Sequence, residues 1–206
     1  MNSRRRTQLI ALALLLLGVA IWSWEEVLED RLIPKNWGCV EPGLIYRSGQ
    51  LSAALVERTL KNHHIEVVVT LNGEKPQDAD CLAEREACRT LGIDLKRFPL
   101  GGDGTGDIHH YANAIAAIVE AKEAQRPVLV HCTAGAQRTG GVLACYRLLV
   151  KGDPNDRVLQ ELAHYGWRPE KNPKLLPFVN GHMAELAALL KEKHVLEEVP
   201  DPLPVL

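Results

Sequence analysis

The sequence predicts an α/β fold: a mainly parallel central sheet flanked by helices on both faces, preceded by one apolar N-terminal helix. Three observations carry this. Short β-branched runs alternate with helical patterns along the chain. The run Ile65 to Leu71 (IEVVVTL) is uncharged after Glu66, as a strand buried on both faces requires. A stretch of 14 apolar residues, Leu9 to Trp22, follows Arg4, Arg5 and Arg6.

That first stretch predicts a membrane segment at residues 1–24. Fourteen residues fall short of the roughly 20 a straight span needs, but counting Thr7 to Trp24 gives 18, near the lower limit. The arginines before it and Glu25 and Glu26 after it favour a cytoplasmic N-terminus, with Trp22 and Trp24 at the outer interface. The expectation is a single-pass signal anchor that leaves the following domain extracytoplasmic, in a bacterial periplasm. A cleaved signal peptide, cut after Gly18-Val19-Ala20, is the alternative. Residues 25–36 form a charged stalk interrupted by Pro34. A domain spans residues 37–195, and a proline-rich tail expected to fray covers 196–206.

Within the domain, Ile45-Tyr46-Arg47 is a short strand ending in Ser48-Gly49-Gln50. A helix follows with Ala53, Val56 and Leu60 on one face. Asn72-Gly73 closes the Ile65–Leu71 strand. Asp80 to Leu91 is helical and stops at Gly92. Ile93 to Leu100 contains another strand, and Gly101-Gly102-Asp103-Gly104-Thr105-Gly106 reads as a flexible loop. Asp107 caps a helix with Ala112, Ile115, Ala116 and Val119 at i, i+3, i+4, i+7. Pro127 to His131 (PVLVH) is a short buried strand. The helix after it turns Val142, Cys145, Tyr146 and Leu149 inward. Pro154 starts a helix ending near Gly166. A long helix, Leu175 to Glu192, carries Phe178, Val179, Met183, Leu186 and Leu190 as its apolar stripe.

Composition narrows the function. The 206 residues are 46% hydrophobic and 24% charged, which excludes a disordered chain and a polytopic membrane protein. Net charge is 24 − 26 = −2. Residues 1–24 hold three arginines and no acid, so the rest carries 21 − 26 = −5. A domain that acidic has no general attraction for nucleic acid, and any anion must be held by a local site. The five cysteines are odd in number and form no CxxC pair, against a disulfide framework or zinc finger. His63-His64 and His109-His110 read as helix-end residues with no acidic or cysteine cluster beside them, so no metal is expected.

The chemistry concentrates in His131-Cys132-Thr133-Ala134-Gly135-Ala136-Gln137-Arg138-Thr139-Gly140, which joins a buried strand to a helix. Open α/β sheets place ligands there, at the carboxyl end of a strand and the N-terminus of a helix. A loop of this length wraps one tetrahedral anion, with amide N–H groups inward and Gly135 permitting the tight turn. Arg138 offers a planar fork to two phosphate oxygens. The same positive field favours a Cys132 thiolate, a nucleophile in line with a phosphoryl group. Thr133, Ala134, Gly135, Ala136, Gln137 and Thr139 are then the substrate-binding positions, while Cys39, Cys81, Cys88 and Cys145 are structural. His131 orients the loop. Arg47 is either a surface residue or one facing the pocket.

This resembles the cysteine-dependent protein tyrosine phosphatase superfamily, whose signature is HC, five residues, then R and S or T. His131, Cys132, Arg138 and Thr139 match every specified position. With Tyr46-Arg47-Ser48-Gly49-Gln50 upstream, the chain is most similar to bacterial members of the compact dual-specificity-type group, over about residues 40–190. The resemblance implies a phosphotyrosine phosphatase-like fold and a phosphocysteine intermediate hydrolysed by water. It implies no metal or other cofactor, and a Thr139 hydroxyl that helps the thiolate leave. It also implies a general acid, an Asp on a loop upstream of the nucleophile. Asp103 and Asp107 lie in that stretch. Asp107 is occupied by capping, whereas glycines flank Asp103 and let it swing over a bound phosphate, so Asp103 is the expected acid.

The expected substrate is a phosphorylated protein side chain or a simple phosphoester, acted on by a monomer. Superfamily members that act on phosphoinositides place lysines within the loop, where this chain has Thr133, Ala136 and Gln137. A phosphoinositide or small-molecule phosphatase is the alternative. A rhodanese-like sulfurtransferase also uses a Cys loop at a strand end, but the Arg138-Thr139 ending argues for phosphate. A membrane-tethered pseudophosphatase is disfavoured by the presence of both Cys132 and Arg138.

Overall fold

A computed structural model describes residues 14–18 and 33–206. Five strands form one sheet: β1 (Gly38–Glu41), β2 (Ile45–Ser48), β3 (Val67–Thr70), β4 (Asp94–Arg97) and β5 (Val128–His131). Their spatial order is β1-β2-β5-β3-β4. β1 pairs antiparallel with β2, and every other pairing is parallel, so the sheet is mixed and mostly parallel. The helices are α1 (Val56–Asn62), α2 (Ala79–Leu91), α3 (Ile108–Glu123), α4 (Gln137–Cys145), α5 (Asn155–His164) and α6 (Leu175–Glu192). α4 runs on into one π-helical segment, Tyr146–Lys151, which Gly152 ends in a left-handed conformation.

Both faces of the sheet are covered because side chains alternate along each strand. Val67, Val69, Val128 and Val130 point into the larger core with α3, α4 and α6. Val68 and Leu129 point the other way, into a smaller core with α1 and α2. This is why IEVVVTL and PVLVH carry no polar alternation: both faces are dry. β5 sits in the middle, and its C-terminal end opens between those of β2 and β3.

Several expectations change. β1 was not legible, because four residues at a sheet edge with an irregular register carry almost no periodic signal. Ala53 is exposed; α1 starts at Val56 and buries Val56, Thr59 and Leu60. The tail is not frayed at its last residue: Leu206 is buried and exchanges two hydrogen bonds of 2.8 Å with the Asn180 side chain.

The membrane expectation is corrected. Among the described residues no helix is long and apolar enough to cross a membrane. Residues 14–18 are helical, and the rest of the 1–24 segment lies outside the described residues. The single-pass, extracytoplasmic placement therefore does not stand, nor does the apolar N-terminal helix as a part of the observed fold.

Candidate active site

The site grows from the end of β5. His131 is the last strand residue, Cys132 to Ala136 turn, and Gln137 starts α4. Three successive carbonyls of this turn are captured from outside. Gln50 N–H donates to Thr133 O at 3.1 Å, Asn36 Nδ2 to Ala134 O at 2.8 Å, and Arg47 Nη2 to Gly135 O at 2.8 Å. In a trans peptide the carbonyl and the following N–H point in opposite directions. Holding these oxygens outward therefore aims the N–H groups of Ala134, Gly135 and Ala136 inward, which makes an anion-binding nest. Gly135 N–H lies 3.2 Å from Cys132 Sγ, as that geometry requires.

Gly135 has φ +70°, and a Cβ there would lie 2.6 Å from backbone atoms of Ser48 and Gly49. Only glycine fits where the turn crosses the end of β2. Asn36, placed in the stalk by sequence, is thus a structural partner of the loop.

Arg47 neither lies on the surface nor faces the pocket. It is 1% exposed and runs beneath the loop, with Nη1 3.1 Å from Glu161 Oε1 and its guanidinium 3.6 Å from the centre of the Tyr165 ring. A buried cation is stable there because a carboxylate, a carbonyl and an aromatic face surround it.

Arg138 turns its fork toward Asn72 and Thr133. Nη1 donates to Asn72 Oδ1 at 2.8 Å, and Nη2 donates to Thr133 Oγ1 at 3.0 Å. Thr133 Oγ1 in turn donates to the same Asn72 oxygen at 3.0 Å. Between Cys132 and Thr139, two buried side-chain atoms have no hydrogen-bond partner among the described residues: Arg138 Nε and Thr139 Oγ1. These are one donor suited to an oxyanion and one hydroxyl able to serve a thiolate. Gln137 differs: its amide donates to Asn172 Oδ1 at 2.8 Å, so its side chain braces the segment before α6.

Asp103 makes its hydrogen bonds outside the loop. Its Oδ1 accepts from the Thr105 hydroxyl at 2.7 Å and the Thr105 amide at 3.1 Å, and Oδ2 lies 3.2 Å from Lys174 Nζ. The bonds from Thr105, with Lys174 adding to them, hold its carboxyl down at about 2. The glycine-rich stretch is consequently a built turn rather than a free loop. Gly101 N–H donates to Thr105 O, Gly104 N–H donates to Gly101 O, and the buried Tyr111 hydroxyl donates to Gly104 O. Asp107 caps α3 as expected, accepting from His109 N–H at 2.8 Å.

The structure thus brings Cys132, Thr133, Ala134, Gly135, Ala136, Arg138 and Thr139 into one cradle and leaves Asp103 tied to Thr105 and Lys174. Sequence reasoning missed Asn36, Gln50, Asn72 and Glu84. Gln50 and Asn72 carried one faint signal, a polar residue just past the end of a strand that neighbours the loop strand; Asn36, ahead of β1, and Glu84, on α2, carried none. Among the described residues no group of three His, Cys, Asp or Glu side chains could hold a metal ion.

A family model described as the DSP-PTPase phosphatase domain of Swiss Army Knife proteins (PTP-SAK) matches residues 38–172. OCA1 of Kluyveromyces lactis, provisionally named a tyrosine-protein phosphatase, is 32% identical over 130 residues, 59% of this chain and 59% of that protein. The chain therefore spans less than two thirds of that relative's length. Dual specificity protein phosphatase TpbA of Pseudomonas aeruginosa is 40% identical over 52 residues, 25% of this chain and 24% of that protein. The crystal structure of TpbA superposes with TM-score 0.60 at 23% identity, over 78% of this chain and 91% of its own. The core catalytic domain of the PP-IP phosphatase SIW14 from S. cerevisiae gives TM-score 0.61 at 20% identity, over 80% and 96%. At those identities the two structures establish the fold.

Proposed function

Because the chain belongs to the DSP-PTPase phosphatase domain family, we propose that it hydrolyses phosphomonoesters through a phosphocysteine on Cys132. The observation that carries this reading is the nest itself: inward amides of residues 134–136 with Arg138 at its edge, closed around the Cys132 sulfur. Charge in a loose phosphoryl transition state spreads over the equatorial oxygens, and preorganised N–H donors stabilise it there. The Cys132 thiolate attacks phosphorus in line, an S–P bond forms, and the P–O bond to the leaving group breaks. Water then attacks the phosphocysteine, releasing inorganic phosphate and the thiolate. The Thr139 hydroxyl donates to that departing sulfur.

Asp103 supplies the leaving group's proton. A carboxyl held at about 2 is ionised near neutrality, so the role requires release from Thr105 and Lys174 when substrate binds. A dianionic phosphate nearby favours the protonated carboxyl. Asp103→Asn should lower turnover by about 10²- to 10⁴-fold for an alkyl or tyrosyl leaving group. It should matter far less for a nitrophenyl group, which departs without a proton. Equal defects with both leaving groups would remove Asp103 from the role and pass it to Asp107.

The substrate class proposed is phosphotyrosine or phosphoserine/threonine in proteins, because Thr133, Ala136 and Gln137 add no cation for a multiply phosphorylated ring. The SIW14 neighbour, a PP-IP phosphatase, keeps an inositol phosphate as the second reading. Phosphate release from a phenyl phosphate by the purified chain tests the activity. Comparing phosphopeptides with inositol phosphates tests the substrate.

A further inference from the structure

Asn36 lies ahead of β1 and ahead of the residues that the family model matches, 38–172. Its backbone has φ +47°, in the left-handed region that is uncommon outside glycine but favoured by asparagine. Both of its neighbours are anchored. Lys35 O accepts from Gly49 N–H at 2.7 Å, and the Trp37 ring stacks on Tyr46 with 5.5 Å between centres. Between these anchors the Asn36 side chain turns to the catalytic loop. Its Nδ2 donates to Ala134 O at 2.8 Å, with a longer bond to Tyr165 O at 3.4 Å. The Tyr165 ring is the one stacked on the Arg47 guanidinium.

One peptide plane links Asn36 to the nucleophile. The Ala134 carbonyl and the Gly135 N–H belong to the same trans peptide and point in opposite directions. Asn36 holds the oxygen, and the N–H on the far side lies 3.2 Å from Cys132 Sγ. This plane is also the one most able to rotate. Turning it over changes chiefly ψ of Ala134 and φ of Gly135, and glycine accepts φ of either sign. The glycine that the close approach of β2 demands thus leaves the loop a freedom it must lose elsewhere. Turned over, the plane would aim a carbonyl oxygen at the sulfur and the anion in place of a donor. The two neighbouring carbonyls are held by groups of another kind, Thr133 O by a main-chain N–H and Gly135 O by a buried guanidinium. The middle one depends on a neutral, partly exposed side chain.

We propose that Asn36 is a positioning residue for the anion-binding loop, holding the 134–135 peptide with its N–H turned inward. The inference rests on the phosphate chemistry proposed above. With the bond in place, the loop is competent before substrate arrives. Without it, part of the population rests turned over, and an arriving anion must first reverse the plane. Apparent affinity then falls with the fraction still competent, whereas an occupied cradle is competent again. The signature of the role is therefore a loss of binding that far exceeds any loss of kcat.

The test is vanadate binding by titration calorimetry, with kcat and KM for phenyl phosphate measured on the same preparations of the full chain. Asn36→Gly keeps the positive φ and removes the amide. The vanadate Kd and the phenyl phosphate KM should both rise about fivefold, the worth of one hydrogen bond of ordinary net strength, while kcat changes by less than about twofold. Asn36→Asp keeps the shape but presents a carboxylate, which cannot donate to Ala134 O, and should lose at least as much affinity. Wild-type affinity in either folded variant overturns the inference, because glycine satisfies the backbone and a residue needed only for its φ would not be missed. A fall in kcat as large as the loss of affinity, or larger, overturns it as well. So does loss of the fold in both variants, which would mark Asn36 as merely structural. If the unsubstituted chain binds vanadate but releases no phosphate, the phosphatase reading fails and vanadate affinity still decides the role of Asn36. No vanadate binding by the unsubstituted chain ends both.

Discussion

Cys132→Ser should abolish phosphate release from a phenyl phosphate, by roughly 10⁴-fold or more, the scale seen when a nucleophile that acts as part of a unit is removed. The reason is chemical rather than steric. The cradle can favour a thiolate, but it offers no base beside residue 132 to take the proton of a serine hydroxyl. Anion binding should survive. The carbonyls of residues 133–135 remain captured by Gln50, Asn36 and Arg47, and Arg138 remains seated on Asn72. Titration calorimetry with vanadate or phosphate should therefore still register binding to the serine variant. Loss of binding together with turnover would mean that the sulfur, and not the backbone, organises the loop.

Arg138→Lys should be nearly as damaging, lowering turnover by about 10³-fold, since a cationic clamp on a transferring phosphoryl group is worth that much. The guanidinium here has two separate duties. Its Nη groups are committed to Asn72 and Thr133, and its buried Nε is left to meet an oxygen. An ammonium is a point charge on a flexible stem and cannot bind Asn72, Thr133 and phosphate in that fixed fan. Both turnover and vanadate affinity should fall in this variant, in contrast to Cys132→Ser. Steady-state rates and calorimetry on the two proteins make the comparison.

The cradle was legible because its chemistry is local. His131 to Thr139 are contiguous, and a strand-to-helix turn with a cysteine, a glycine and an arginine at this spacing has little else to do. The strands on either side were legible because Val67 to Val69 and Val128 to Val130 are buried on both faces. What holds the cradle open was not. Asn36 and Arg47 lie 98 and 88 residues from the carbonyls they bind, and Glu84 meets His131 from α2, a helix whose face is otherwise ordinary. No periodicity encodes such contacts. A lone arginine is usually exposed, so sequence alone leaves Arg47 on the surface or in the pocket; a carboxylate and an aromatic ring from the α5 region make its burial tolerable. Asp103 shows the converse failure. Its flanking glycines suggest freedom, yet Thr105, Lys174 and Tyr111 close that stretch into a turn. The edge strand β1 was missed for want of length.

The covalent step is the claim on which the rest depends, and trapping it is the most direct measurement. The purified chain is mixed with a nitrophenyl phosphate, quenched in acid within a turnover, digested and analysed by mass spectrometry. A phosphoryl group on the peptide containing Cys132, absent in Cys132→Ser, is the predicted result. Full hydrolysis with no phosphoryl label on that peptide, or with the label on another residue, would contradict a phosphocysteine mechanism in this site.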